Sequence, residues 1–317
     1  PLATDTSWDD YVKYHFLLPL KMTRTSTNIA AIKGDNNAAQ PYTRFNDSLV
    51  KIQYMSFDNI APAGSINSSV KDMSNWLLMQ LDSGRFDGKQ LVPFDALQET
   101  RAGQTIEGSG SSFFPSNHFS VYGLGFDLED YGGKLIVSHS GGAAGFVSYV
   151  TLIPEEHLGI VVLTNTDVNS LFFALPRQIT DAYLGMPYRN YSDIFFSFAE
   201  RRRMRENEEL KKDRELVARK QPPSLSLKSY SGTYANSVYG TITIKAENNK
   251  LNIYFSHHPG LIGQLEPRDG NTFLCTYSDP EYGIKVIPFT VENNQVKSVT
   301  ITVNDEIEFL PYEFVKQ

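Results

Sequence analysis

Val137-Ser138-His139-Ser140-Gly141-Gly142-Ala143-Ala144-Gly145-Phe146 decides the fold. A short apolar run, Leu135 to Val137, leads into this stretch, and a β-like run, Phe146 to Ile153, leads out of it. Pro154-Glu155-Glu156-His157 reads as a turn and Leu158 to Leu163 as a second apolar strand. A polar, glycine-rich segment is therefore expected at the end of one strand and beside a hairpin. Glycines there let another backbone or a ligand come close, and a His and a Ser so placed can point at it. A histidine on a strand and a Gly-Gly turn are also ordinary structural features, so the surrounding chain has to decide.

Working upstream, Tyr122 to Leu128 reads as a strand, and Gly132-Gly133 supplies a turn before Leu135. Consecutive strand-like runs joined by short turns predict an antiparallel sheet. Gly103 to Pro115 is rich in Gly and Ser. No Lys-Ser or Lys-Thr follows Gly108-Ser109-Gly110, so a phosphate loop is excluded and a mobile loop expected. Ser69 is placed to cap a helix, with Asp72 completing the box and Val70, Met73, Trp76, Leu77 and Leu81 as its buried stripe. Ile29 to Asn59 is a polar excursion with a strand-like run from Ser48 to Met55. Near the start, Ser7 and Asp10 form a helix entry. Trp8, Tyr11, Val12 and His15 recur at helical spacing, with His15 as a satisfied residue on that face, and Pro19 ends the helix.

Downstream, Asn169 to Leu184 is helical, with Leu171, Phe172, Leu175, Ile179 and Ala182 on one side. Pro176 should kink it unless the helix begins there. From Asp193 to Gln221, charges of both signs alternate at helical distances, which predicts a solvated connecting helix. After Pro222-Pro223 the pattern becomes short alternating runs from Gly240 to Pro311. Asn248-Asn249, Asp269-Gly270, Asn293-Asn294 and Asn304-Asp305 fall between them as turns. Such spacing predicts a small all-β barrel or sandwich. His257 and His258, read as neighbours on a strand, would point to opposite faces and could not share a metal. No metal site or cofactor is expected.

The whole chain sets outer bounds. Its 317 residues allow one large domain or two ordinary ones. A formal net charge of -7 argues against a general nucleic-acid binder. The single cysteine, Cys275, excludes an internal disulfide framework, and no apolar run is long enough to span a bilayer. Pro1 is neither an initiator Met nor the start of a signal peptide, so the chain reads as a processed or excised piece.

The ordered set of motifs resembles the serine β-lactamase and penicillin-binding-protein superfamily, in its class-C-like esterase and D-aminopeptidase branch. The resemblance rests on Trp8, Pro19-Leu20-Lys21-Met22-Thr23-Arg24-Thr25, Ala61-Pro62-Ala63-Gly64-Ser65, the helix near Ser69, and His139-Ser140-Gly141 as the third active-site motif. It covers roughly the first 185 residues. Lys21 stands where the family carries glycine. Tyr230-Ser231-Gly232-Thr233-Tyr234 resembles the opening of the lipocalin-like β-domain often found behind this family. The implied architecture is α+β. Residues 1–190 would be the C-terminal portion of a β-lactamase-like domain, with an antiparallel sheet flanked by helices and an incomplete N-terminus. Residues 191–223 would form a charged helical linker, and 224–317 a small β-barrel.

The resemblance implies acyl transfer to a serine and then to water. The Gly142 N–H would stabilise the oxyanion, Ser140 would bond the substrate's carboxylate or carbonyl, and His139 would help hold the proton network. Gly141, Ala63 and Gly64 would line the cleft, though a plain loop before a helix is an equal reading of Ala63 and Gly64. The family's Ser-x-x-Lys and Tyr-x-Asn motifs precede the segment matching Trp8. Ser48-Leu49-Val50-Lys51, Ser68-Ser69-Val70-Lys71 and Tyr234-Ala235-Asn236 are out of order for them. The expected function is a serine hydrolase acting on a small acyl substrate, an amide, ester or β-lactam, with the missing N-terminal part of the same protein as partner. The alternative is a catalytically silent fragment or homologue that binds ligands or partners. No nucleic acid and no membrane span are expected, and the resemblance alone implies export.

Overall fold

The computed structural model describes residues 4–109, 119–247, 250–304 and 308–317. In chain order the elements are α1 (Trp8–Val12, prolonged by a π-helical turn, Lys13–Leu17), β1 (Tyr42–Phe45), β2 (Ser48–Lys51), α2 (Ala61–Gly64), α3 (Val70–Leu81), β3 (Arg85–Phe86), β4 (Lys89–Gln90) and α4 (Phe94–Thr100). Then come β5 (Thr105–Ser109), β6 (Phe119–Tyr122), β7 (Asp127–Tyr131), β8 (Lys134–Ala143), β9 (Phe146–Ile153), β10 (Leu158–Thr164), α5 (Leu171–Tyr183), α6 (Tyr191–Ala218) and α7 (Leu227–Tyr230). The chain finishes with β11 (Gly232–Asn236), β12 (Gly240–Glu247), β13 (Lys250–Phe255), β14 (His258–Asp269), β15 (Thr272–Tyr277), β16 (Ile284–Glu292), β17 (Gln295–Asn304) and β18 (Glu308–Lys316). Two compact units result: residues 1–42 with 53–199, and residues 43–52 with 200–317. Among the described residues no helix is long and apolar enough to cross a membrane.

The first unit is built on a six-stranded antiparallel sheet in the order β10-β9-β8-β7-β6-β5. Strand alternation sends successive side chains to opposite faces. Val137 and Leu152 pack with Leu77 of α3, Phe126 and Leu128 on one face. Ile136, Ile153 and Tyr131 pack with Ala174 of α5 and Tyr191 of α6 on the other. The β7–β8 turn at Gly132-Gly133 has both residues at positive φ, 62° and 75°, which suits a two-residue hairpin.

Several sequence expectations are corrected here. Tyr122 to Leu128 is two strands, β6 and β7, joined through Gly123–Phe126. The expected mobile loop at Gly103–Pro115 contains β5, and its part at 110–118 lies outside the described residues. Asp72 receives the Ser69 cap through its N–H, but its buried carboxylate accepts from the Arg24 N–H at 2.7 Å and the Thr25 hydroxyl at 2.8 Å. That carboxylate ties the N-terminal segment to α3. Val70 is exposed, and Met79 is buried with Leu77 instead. His15 is exposed and packs against Tyr11 with the rings tilted by 31°. Lys21, in the family's glycine position, adopts φ 57°, the left-handed conformation glycine tolerates best, and its ammonium pairs with Asp87.

Helix α5 departs most from its apolar pattern. It runs through Pro176, and Leu171 and Leu175 are exposed. Its buried face carries Arg177, Thr180 and Asp181. Arg177 meets Glu129 of β7 through both guanidinium nitrogens, at 3.1 and 2.5 Å. Asp181 accepts from Tyr131 at 2.5 Å and Tyr191 at 2.8 Å. Burial, reinforced by Asp181, pushes the Tyr131 hydroxyl far above its ordinary value. The charged groups of this buried face, Arg177 and Asp181, survive there because both have partners.

The second unit contains a closed antiparallel barrel, β11 to β18. Alternation fills its interior: Ile242 and Ile244 from β12, Leu251 and Ile253 from β13, Phe273 and Cys275 from β15, and Phe314 from β18. Tyr230 and Tyr234 are fully buried, and the Tyr234 hydroxyl donates to the Tyr230 carbonyl at 2.6 Å. Asn293 and Asn294, at φ 50° and 56°, make the β16–β17 turn. The expected turn at Asn248-Asn249 and the Asp305 end of another lie outside the described residues. His257 and His258 are not on one strand: His257 sits in the β13–β14 turn and His258 begins β14. The unit also holds the hairpin β1–β2 from the polar excursion. Arg203 of α6 bonds Asp47 at its tip, at 2.7 and 2.8 Å, and Arg44 pairs with Glu206 at 3.2 Å.

Candidate active site on β8

The expected polar end of a strand is the second half of β8 itself, which continues through His139 to Ala143. Both neighbours pair with β8, but over different lengths. β9 pairs from Val137↔Leu152 to Ala143↔Phe146, whereas β7 pairs only as far as Asp127↔Ser138. Beyond Ser138 the β7 side of β8 has no sheet partner among the described residues.

Antiparallel alternation determines which backbone groups that leaves. The two-residue turn Ala144-Gly145 makes Ala143 and Phe146 an exchanging pair. Gly141 and His139 therefore also direct their N–H and C=O at β9. Ser138, Ser140 and Gly142 direct theirs the other way, and for Ser140 and Gly142 this is the unpaired edge. Glycine has distinct reasons at its two positions. A Cβ on Gly141 would lie 2.6 Å from the Ser148 hydroxyl of β9, whereas one on Gly142 would meet nothing within 4 Å. A side chain at Gly141 would need the Ser148 hydroxyl to swing away, and Gly142 leaves its surroundings open.

His139 is half-buried and Ser140 exposed. His139 Nε2 lies 3.0 Å from the Tyr122 hydroxyl, and Nδ1 lies 2.5 Å from the Ser140 carbonyl oxygen. Glu107 of β5 hydrogen-bonds Asp127, and desolvation together with that neighbour raises its pKa, while His139 opposes the rise. Burial, then Asp127 and Glu107, raise the Tyr122 hydroxyl too. Tyr122, Asp127 and Glu107 were not singled out from the sequence. Their signal is cross-strand: Tyr122 pairs with Asp127, which pairs with Ser138 beside His139. Glu107 sits at a register shift between Ile106 and Gly108, a bulge that re-aims a side chain.

The other expected site residues stand on a different element. Ala63 and Gly64 are exposed on the short helix α2, where Gly64 packs on the Phe57 ring. The hydrogen bonds at His139 run to Tyr122 and Ser140 and do not include them. A cavity of 460 Å³ in the second unit is lined by residues of the β1–β2 tip and α6, such as Asp47, Asn207 and Arg214, and holds none of the expected site residues. Among the described residues no cluster of His, Cys, Asp and Glu suits a metal ion.

The beta-lactamase family model matches residues 2–184, and a domain of unknown function, DUF3471, matches residues 217–316. The chain belongs to the beta-lactamase family, a family of hydrolases. Among curated proteins it is similar to the unguisins hydrolase ungD' of Aspergillus campestris, 24% identical over 248 residues, which are 74% of this chain and 45% of that protein. It is also similar to the unguisins hydrolase ungD of Aspergillus violaceofuscus, 26% identical over 190 residues, 55% of this chain and 34% of that protein. The chain thus spans less than half the length of these relatives. Among solved structures, an octameric penicillin-binding protein homologue from Pyrococcus abyssi aligns with a TM-score of 0.49 at 18% identity, covering 98% of this chain and 60% of that one.

Proposed function

We propose that this chain carries the His-Ser-Gly wall of a serine hydrolase that cleaves an amide or ester through an acyl-enzyme, and that the attacking serine comes from residues encoded outside Pro1–Gln317. The observation that carries this reading is the unpaired half of β8, where Ser140 and Gly142 turn backbone groups to an open edge. The Gly142 N–H donates to the oxyanion of the tetrahedral intermediate, a contribution of about 3 kcal/mol when such a donor is removed. The exposed Ser140 hydroxyl binds the substrate's carboxylate or carbonyl, and Gly141 and His139 complete the wall. Ala63 and Gly64 line the substrate side from α2. The names of the curated relatives, unguisins hydrolases, support a hydrolytic reaction, and β-lactam, ester and D-residue peptide are the substrate types to compare.

The three local sequence matches to nucleophile motifs favour a serine from elsewhere. Ser48 and Lys51 are exposed on the short strand β2. The Ser68 hydroxyl is 2.7 Å from that of Thr25, which donates to the buried Asp72, while Lys71 is exposed. Tyr234 is sealed in the barrel. The test is intact-mass spectrometry after incubation with a fluorophosphonate and with a penicillin, on this chain and on the chain extended by the residues encoded before Pro1. The expected result is no adduct on residues 1–317 and a stoichiometric one on the extended protein. A stoichiometric adduct on Ser48 or Ser68 would overturn the placement of the nucleophile. No adduct on either protein would favour a ligand-binding role.

A further inference from the structure

Tyr122 closes β6 with its hydroxyl 3.0 Å from His139 Nε2. On the far side of the ring, His139 Nδ1 is 2.5 Å from the Ser140 carbonyl oxygen. A carbonyl oxygen only accepts, so Nδ1 carries the proton. A neutral imidazole then offers Nε2 as an acceptor, and the Tyr122 hydroxyl has to donate. The result is a directed chain from Tyr122 O–H to His139 Nε2 and from His139 Nδ1–H to the Ser140 carbonyl.

The Ser140 carbonyl is one of the groups that β8 turns to its unpaired edge. A bare carbonyl there would repel an oxyanion approaching the Gly142 N–H two residues along. With the imidazole capping it, the edge presents a donor without a competing lone pair beside it. Tyr122 itself is fixed from several sides. Its carbonyl accepts from the Gln104 N–H at 2.7 Å, and it faces Asp127 across the strands. The following turn is pinned by Gly123 N–H to the Phe126 carbonyl at 2.8 Å and Leu124 N–H to the Thr100 carbonyl at 3.0 Å. Only glycine fits at 123, where a Cβ would sit 2.3 Å from the Thr100 oxygen. Burial, then Asp127 and Glu107, disfavour a phenolate at Tyr122, so the hydroxyl keeps a proton to donate.

We propose that Tyr122 is a positioning residue of the β8 site: it holds His139 in the Nδ1–H tautomer, so that the imidazole caps the Ser140 carbonyl and leaves the Gly142 N–H as the free donor of that edge. The proposal rests on the roles given above to His139, Ser140 and Gly142, but its test needs no turnover. Long-range proton–nitrogen correlation spectra of the histidine side chains, recorded on the chain and on Tyr122→Phe, with His139→Gln to assign the signal, read the tautomer directly. The wild-type chain should show a protonated Nδ1 and a bare Nε2. In Tyr122→Phe the share of the Nε2–H tautomer should rise, because the Ser140 carbonyl alone then selects Nδ1–H and the donor holding Nε2 as an acceptor has gone. A wild-type Nε2–H tautomer, or a tautomer unchanged in Tyr122→Phe, overturns the proposal. Failure of the acylation test alone would count against the hydrolase reading and not against this hydrogen-bond chain.

Discussion

Strand β8 of the first unit and strand β13 of the barrel are both antiparallel strands with a neighbour on each side, yet they leave their backbones in opposite states. β13 pairs with β12 from Lys250 to Phe255 and with β14 from Leu251 to Phe255. β8 pairs with β9 to its end but loses β7 at Ser138. A closed barrel uses its N–H and C=O groups internally. A strand that outruns one neighbour keeps groups that can meet a ligand. The side chains follow the same division. The barrel interior is aromatic and aliphatic, whereas the sheet of the first unit packs a polar helix face through Arg177 and Asp181 and carries a titratable cluster beside His139.

The largest effect that would sharpen this contrast is expected in the barrel. Phe273 is fully buried and meets Tyr230 and Phe289 edge-to-face, with ring centroids 5.1 and 5.2 Å away. Phe273→Ala should cost roughly 3–5 kcal/mol, because the cavity cannot collapse inside a closed sheet. Both tryptophans, Trp8 and Trp76, lie in the first unit, so during urea unfolding tryptophan fluorescence reads that unit while far-UV circular dichroism reads both, and the barrel is the part of the dichroism change that fluorescence does not follow. That part of the dichroism change should move to lower urea and the fluorescence transition should stay. Equal movement of both would break the division.

A somewhat smaller effect is expected at the polar face of α5. Arg177→Ala leaves the Glu129 carboxylate in a nearly buried site with its bidentate partner gone. The loss should be about 3 kcal/mol, the low end for breaking a buried pair from one side. This time tryptophan fluorescence should report it. A shift below about 0.5 kcal/mol would mean that the bridge behaves as a surface pair.

The smallest effect is an expected lack of reaction. Cys275 is fully buried in the barrel, and burial pushes its thiol up to about 12. At pH 8 the thiolate is scarce and the sulfur enclosed. A chromogenic disulfide reagent should leave native protein unlabelled and titrate one thiol in guanidinium chloride. The sign is that of a raised folded-state pKa: stability from the neutral thiol is present below the unfolded value and is lost as pH rises through the folded one. Rapid native labelling at pH 8 would show that the barrel opens locally.

How far the sequence reached differs between these regions for the same reason. In the barrel, alternating runs with Asn-Asn and Asp-Gly turns put Ile242, Ile244, Leu251 and Ile253 inside without further information, because a two-residue period is a local property. The His139 stretch and its hairpin partner were legible as strand and turn. The polar face of α5 was not. Leu171 and Leu175 satisfy a helical apolar stripe as well as Arg177 and Asp181 violate one, and only Glu129, Tyr131 and Tyr191, distant in sequence, reverse the choice.

For the site, the sequence by itself determined which residues stand on β8 and that glycines follow the histidine. The tertiary structure decided what those residues can do. The length of β7 against β8 leaves Ser140 and Gly142 without a strand partner on that side, and a tyrosine two strands away bonds the imidazole that meets the Ser140 carbonyl. Both depend on register and on where a neighbouring strand stops, and these are fixed by pairing across the sheet and are not carried by any local run of residues.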